Sequence, residues 1–300
     1  MKNITLVGPL YIVENLLQLF SGEPLCFQFL SHEEWYKMKF SRKIGYLQNT
    51  NIMHFLWGQR KLGDFIFAKI LGIRIINHYI GTDVWRLMKE KPSKKFKAYL
   101  SNLLADRVFC VSAGLQKELS LLGTQAKILP LAFGSYPDIV PQLPKRLNVY
   151  SYVPESRSEF YGWSFIEQLI RQYPDIQFYI LANKGNGYHH YPNVEFLGWQ
   201  DDIRQWIKDS YIYLRLTQHD GLPKMILEAL AYGRQVIFSG EFPHCHRSTN
   251  FSELKSCFDN LLNKPKLNHE GAKFVREEYN SAKIRQTFVS LYRELIAGSL

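Results

Sequence analysis

The residues best suited to chemistry lie between Leu214 and Ile237, in LRLTQHDGLPKMILEALAYGRQVI. Asp220 closes an apolar run, Gly221-Leu222-Pro223 makes a turn, and Glu228 follows two helical turns further on, ahead of Ala-Leu-Ala-Tyr-Gly. Pro223 is preset for a helix start, where the first backbone N–H groups have no partner inside the helix and the dipole favours an anion such as phosphate. Lys224 adds a cation there. Glu228, two turns in, can accept from a pair of vicinal hydroxyls such as a ribose carries, while Asp220 at the mouth can hold hydroxyls of a second sugar. Two acids at this spacing are common on ordinary helices; the Gly-Leu-Pro turn and the Ala-rich helix make the pair read as a ligand cradle.

The cradle needs a strand before it and a helix after it, and the whole chain alternates in that way. Ile4 to Val7 reads as a strand ending at Gly8-Pro9, with a helix over YIVENLLQLF. Arg74 to Tyr79 reads as a strand running into Gly81-Thr82-Asp83, followed by helices from Val84 and near Lys94 to Ala105. A strand Arg107 to Val111, a helix Ser112 to Leu122 and a short strand near Lys127 come next. Pro137, Pro141 and Pro144 then crowd the segment 134–146, which reads as a linker because three prolines this close share neither a helix nor a central strand. The alternation restarts with strands at 147–153, 177–181, 194–197, 212–216 and 235–238 and helices at 163–172, 202–208 and 224–231, then C-terminal helices from about Phe251. The expected organisation is residues 1–140 and 141–280 as two Rossmann-like α/β domains facing across a cleft, with a helix in 281–300 crossing back to the first.

Apolar residues make up 46 % of the chain and charged residues 21 %, far from the composition of an unfolded chain. No apolar run approaches the roughly 18 residues of a membrane-spanning helix. The start, MKNITLVGPL, has no long apolar h-region and leads straight into a strand, so the expected location is cytoplasmic. Cys26, Cys110, Cys245 and Cys257 form no C-x-x-C pair, which argues for reduced thiols. Residues 1–146 hold 20 Lys and Arg against 10 Asp and Glu, and the remainder 17 against 17, so the basic first half faces something anionic. Lys89, Lys91, Lys94, Lys95 and Lys97 edge an apolar stripe of Phe96, Tyr99, Leu100, Leu103 and Leu104, and WYKMKFSRK at 35–43 is a second basic-aromatic cluster. Both suit an anionic membrane interface, the alternative being a solvated face with its stripe on the core. No nucleic-acid recognition module accompanies these charges. His244-Cys245-His246 and His189-His190 lack metal-site spacing, Gly185-Asn186-Gly187 lacks a dinucleotide fingerprint, and no D-x-D occurs.

Around the cradle the sequence resembles the GT-B glycosyltransferases, in particular the retaining family-four type, whose E-G-F-P-x-x-x-x-E-A is similar to D-G-L-P-K-M-I-L-E-A here, with Asp220 for the first Glu. VEFLGW at 194–199 looks like that family's turn beside the nucleotide base, with Gly198 and Trp199 at it. Val111-Ser112 is similar to its "VS" segment, HYIGTDV at 78–84 to its His/Gly-Thr-Asp loop, and Gly8 stands where its Gly-rich loop lies. The family grips the donor diphosphate with an Arg and a Lys-Gly; in YVPESRSEFYGWSF, Arg157 and Gly162 fit, but Tyr161 stands in the lysine's place and supplies no charge.

The resemblance implies a metal-independent, cofactor-free retaining hexosyltransferase. Its donor is a nucleotide-diphosphate sugar and its acceptor a lipid-linked or cell-surface polysaccharide, met at the inner face of the membrane with no nucleic-acid partner. It implies Arg157 on the diphosphate with Gly221, Leu222, Pro223, Lys224 and Tyr161 around it, Glu228 on the ribose, Asp220 on the donor sugar, and His78 and Asp83 toward the sugar or acceptor. Two alternatives stay open: a non-catalytic subunit of the same shape that binds a partner transferase or glycan, and a sugar-nucleotide epimerase.

Overall fold

A computed structural model describes residues 3–58 and 61–298. The chain forms two compact units, one of the residues up to Phe133 together with those from Ser281 on, the other of Gly134–Asn280. In the first, β1 (Asn3–Gly8), α1 (Leu10–Leu19), β2 (Cys26–Ser31), α2 (His32–Lys37), α3 (Phe40–Gln48), β3 (Ile52–Leu56), α4 (Leu62–Ile70), β4 (Arg74–Tyr79), α5 (Thr82–Met88), α6 (Pro92–Leu104), β5 (Arg107–Cys110), α7 (Ala113–Leu121) and β6 (Lys127–Ile128) build a parallel sheet of order β2-β1-β3-β4-β5-β6. Helices cover both faces, which is why β1, β3 and β4 are buried almost throughout and read as apolar runs. The chain's last helix, Ser281–Ala297, packs Ile284, Phe288, Tyr292 and Leu295 against Ile4, Leu6 and Ile52 of this sheet.

Residues 26–70 hold elements that the sequence pattern does not disclose. β2 (CFQFLS) and β3 (IMHFL) are short and interrupted by polar residues. The WYKMKFSRK cluster also departs from the surface reading: Trp35 is fully buried and its Nε1–H donates to Asp64, and Lys43, itself buried, pairs with the same carboxylate at 3.0 Å. Of the four cations in this cluster Lys43 is tied to the core, whereas Lys37, Lys39 and Arg42 are exposed.

In the second unit, β7 (Val149–Tyr152) leads through a 3-10 turn (Glu155–Tyr161) into α8 (Trp163–Gln172). β8 (Phe178–Leu181), β9 (Val194–Gly198), α9 (Arg204–Lys208), β10 (Ile212–Arg215), α10 (Lys224–Ala231), β11 (Gln235–Phe238), β12 (His246–Arg247), α11 (Phe251–Asn263) and α12 (His269–Glu278) follow. Its sheet runs β9-β8-β7-β10-β11-β12, all parallel. Counted within the unit that is 3-2-1-4-5-6, so the strand order reverses between β7 and β10 and opens a crevice at their carboxyl ends. The proline-rich segment has no helix or strand and is tied onto this unit. Arg276 Nη1 donates to the carbonyls of Pro137 and Asp138 (both 3.2 Å), and the buried Arg234 donates to those of Gln142, Ile207 and Lys208.

Candidate functional site

The reversal point of the second sheet is where the charged residues gather. Arg215, the last residue of β10, is 9 % exposed, and its Nε and Nη2 both donate to Asp220 Oδ2 (2.9 and 2.5 Å). Asp220 Oδ1 accepts from the Gly221 N–H at 2.9 Å. The guanidinium also lies 4.9 Å from the Tyr161 ring centre and 5.6 Å from that of Tyr152, at the end of the neighbouring β7. Close backbone approach makes this geometry. Gly162 has φ +76°, and a Cβ on it would stand 2.6 Å from the Leu216 carbonyl oxygen, so only glycine lets the loop carrying Tyr161 seat against the end of β10. The Gln218 N–H donates to the Phe160 carbonyl at 2.9 Å and locks the same crossing.

Two helices begin here, α8 after Gly162 and α10 after Pro223. Neither has a side-chain cap or an acid in its first turn. Lys224, at the first position of α10, stands where the helix dipole disfavours a cation. The first turn is therefore electropositive from both backbone and side chain. Lys224 reaches Glu228 one turn on, at 3.5 Å. Burial pushes the Glu228 carboxyl up from its ordinary range and Lys224 opposes the shift. Deeper in the unit, Tyr150 and Tyr213 stack with ring centres 4.6 Å apart. The buried hydroxyls of Tyr150 and Tyr136 have no hydrogen-bond partner among the described residues. Arg157 is exposed at the rim with its guanidinium 4.0 Å over the Phe160 ring, and its backbone (φ −147°, ψ 33°) breaks the 3-10 turn. Asp220, Gly221, Leu222, Pro223, Lys224, Glu228, Tyr161 and Arg157 thus all belong to the loops and helix starts that follow β7 and β10.

Gly198 closes β9 and Trp199 follows it, three strand spacings or about 14 Å from β10. Gly198 has φ +64°, and Trp199 is 71 % exposed with its Nε1–H on Asp201.

The sequence-derived residues of the first unit behave differently. His78 is buried in the sheet, which corrects the expectation that it faces a sugar: its Nε2 is 2.8 Å from the Leu129 carbonyl and its Nδ1 3.2 Å from His54 Nε2. The carbonyl fixes every proton in this row. His78 Nε2 donates to it, His54 Nε2 donates to His78 Nδ1, and Tyr292 Oη donates to His54 Nδ1 at 2.8 Å. Burial pulls His78 down to about 3 and His54 well below its ordinary value, so both are neutral at pH 7. Asp83 is likewise buried, its carboxylate accepting the backbone N–H groups of Ile80, Gly81 and Val84, so it shapes the loop after β4 and does not meet an acceptor. A Cβ on Gly8 would lie 2.7 Å from the Leu56 carbonyl oxygen, so the close approach that demands glycine is to β3.

Solved structures share this architecture over nearly the whole chain. Anabaena Alr3699/HepE in complex with UDP and glucose superposes with a TM-score of 0.74 at 12 % identity, covering 98 % of this chain and 100 % of that one. The sucrose-phosphate synthase of Thermosynechococcus elongatus gives 0.72 at 13 % identity, covering 99 % and 100 %. Both are GT-B glycosyltransferases. This chain has the GT-B fold. The UDP-GlcNAc 2-epimerase of Neisseria meningitidis bound to UDP-GlcNAc also superposes, at a TM-score of 0.57 and 13 % identity over 98 % and 100 % of the two chains. No protein-family model and no curated protein matches the sequence. In this GT-B chain the residues that sequence reading passed over are Arg215 and Tyr152. The signal for the first was present, since an arginine at the inner end of the apolar run YIYLRL has to find a partner.

Proposed function

We propose that this chain is a retaining glycosyltransferase that takes a sugar from a nucleoside-diphosphate sugar bound by the second unit. The observation that carries the reading is the grouping of Asp220, Glu228, Arg157 and two uncapped helix starts at the reversal point of a 3-2-1-4-5-6 sheet. Glu228 takes the ribose hydroxyls, and the start of α10 with Lys224 and Arg157 takes the diphosphate. Trp199 lies beside the base, and Asp220 offers its remaining acceptor position to the donor sugar. Transfer then needs no protein nucleophile: the leaving phosphate helps deprotonate the incoming hydroxyl on the same face, and the protein supplies position and positive charge. These cations and helix starts take the role that a resident metal has elsewhere.

The acceptor side of the proposal is a lipid-linked or surface polysaccharide at the inner face of the membrane. It rests on α4 and α6, which pack together in the first unit and leave Ile66, Ile70, Phe96 and Leu103 exposed among Lys94, Lys95 and Lys97. Apolar anchors edged by lysines suit an anionic bilayer surface. No helix of the described residues is long and apolar enough to cross a membrane.

Binding and slow hydrolysis measured across UDP-, GDP-, ADP- and dTDP-sugars test the reading. One donor is expected to bind and to hydrolyse slowly without acceptor. Glu228→Ala is expected to weaken that donor by about 1 to 3 kcal/mol, and unchanged affinity removes Glu228 from the ribose. An epimerase, a reading favoured by the likeness to the UDP-GlcNAc 2-epimerase, converts donor to its epimer with no acceptor present. A non-catalytic subunit hydrolyses and converts none of them.

A further inference from the structure

We propose that Arg215 is a further cation, beside Lys224 and Arg157, that meets the donor diphosphate in this chain, held for that task by Asp220 and by the rings of Tyr161 and Tyr152. The inference rests on the nucleotide-sugar reading and names a residue that the reading lacks. Tyr161 stands where the resembling transferases carry a lysine, and the position would be left without charge if side chains were counted along the sequence alone. In space it is not: the Arg215 guanidinium lies 4.9 Å from the Tyr161 ring centre, supplied from β10 across the reversal point. The ring does for the arginine what it cannot do for a phosphate. It gives the planar cation a face to stack on and so fixes its direction.

Asp220 fixes the rest. Its Oδ2 takes Nε and Nη2 together, which orients the fork while leaving the two Nη1 hydrogens outside this pair. Oδ2 is saturated by that contact and Oδ1 already takes the Gly221 N–H, so one acceptor position of the carboxylate is left for a sugar hydroxyl. Asp220 is therefore first a positioning residue for Arg215. The Gly162–Leu216 crossing fixes the Tyr161 loop against the strand end that carries the arginine.

The test is calorimetric titration of UDP, GDP, ADP and dTDP into the full chain and three variants: Arg215→Gln, Arg215→Lys, and Arg215→Gln combined with Tyr161→Lys. The last moves the cation from β10 to the loop and keeps a partner for Asp220, so it stays informative if Arg215→Gln alone does not fold. For the diphosphate that the natural chain binds, Arg215→Gln is expected to lose roughly 10- to 100-fold in affinity. Arg215→Lys should lose less, and the double variant should recover to within about fivefold of the natural chain, since a point charge at the same place restores the ionic contact. Folded Arg215→Gln with undiminished affinity overturns the proposal and leaves the nucleotide-sugar reading standing. A folded double variant that does not recover also overturns it, because Arg215 then matters for structure alone. If the natural chain binds none of the four diphosphates, the nucleotide-sugar reading itself falls, and this inference with it.

Discussion

The two units solve one packing problem in the same way and then diverge by a single side chain. At the reversal point of each sheet a glycine crosses a leucine at the end of the neighbouring strand: Gly8 over Leu56 in the first unit and Gly162 over Leu216 in the second, with a hypothetical Cβ 2.7 and 2.6 Å from the leucine carbonyl oxygen. The residue before that leucine is Phe55 in one and Arg215 in the other. Phe55 is fully buried and stacks on Phe65 at 5.3 Å, whereas Arg215 takes a carboxylate and two tyrosine rings at the crevice edge. The crossing belongs to the fold, and the chemistry belongs to what stands next to it.

The largest effect should come from exchanging those neighbours. Phe55→Arg puts a guanidinium among Trp35, Phe65 and Met53, where the Asp64 carboxylate is already taken by the Trp35 Nε1–H and by Lys43. Leaving a buried charge uncompensated destabilises by about 3 to 5 kcal/mol. Urea unfolding followed by circular dichroism should show the early loss of one unit, and a variant as stable as the natural chain would mean that the first crevice tolerates charge as the second does.

The crossings themselves should respond unequally. Gly162→Ala meets both the Leu216 backbone and a left-handed φ of +76°, whereas Gly8→Ala meets only the contact with Leu56. Overpacking costs about 1 to 3 kcal/mol and the left-handed backbone roughly 1 to 2 more. Thermal unfolding is therefore expected to rank Gly162→Ala below Gly8→Ala, with both below the natural chain. Equal losses would show that the loop carrying Tyr161 gives way, and would loosen the geometry around Arg215.

How much of this was legible beforehand follows from the same physics. Arg74–Tyr79, Trp163–Gln172, Lys224–Ala231 and Gln235–Phe238 have the bounds that their periodicity gives, because apolar spacing is set by the face each element buries. The strands β2 and β3 escaped, since Gln28 or His54 breaks the apolar pattern although β2 still pairs with β1 at the sheet edge and β3 with β1 and β4 on both sides. Asp220, Glu228 and Tyr161 were visible as residue types, but Arg215 is five residues before Asp220 on a strand, and only the fold of the turn brings guanidinium to carboxylate. His78 and Asp83 mark the opposite error. A motif gives the residue type without its direction, and both side chains turn into the protein.

The buried histidines make the first unit sensitive to acid in a way that the second unit's crevice is not. The folded-state value of His78, about 3, lies below the ordinary 6.5, so the unfolded chain binds the proton more readily. Stability from this group is complete above pH 6.5 and is lost as pH falls toward 3. Each pH unit in that window removes about 1.4 kcal/mol per titrating group, or roughly 2 kcal/mol at pH 5. His78→Gln keeps a donor for the Leu129 carbonyl and an acceptor for His54 without a titrating ring, and should flatten the slope of urea midpoint against pH by about one proton's worth. An unchanged slope would place the acid-sensitive group elsewhere.

The smallest effect on stability should come from Trp199. The side chain is 71 % exposed and held by one bond to Asp201, so Trp199→Ala is expected to change unfolding by no more than about 0.5 kcal/mol. Its effect on ligand should be out of proportion to that. A base stacked on an indole loses about 1 to 3 kcal/mol when the ring is removed, so nucleoside-diphosphate affinity should fall roughly tenfold or more in a chain that is otherwise as stable as before. An exposed tryptophan that neither packs nor binds would leave both quantities unmoved, and the base would then have to be sought away from the end of β9. Seen beside Phe55, whose replacement should unfold a unit without touching ligand, Trp199 is the opposite pole of the same comparison: aromatic surface held out of the core.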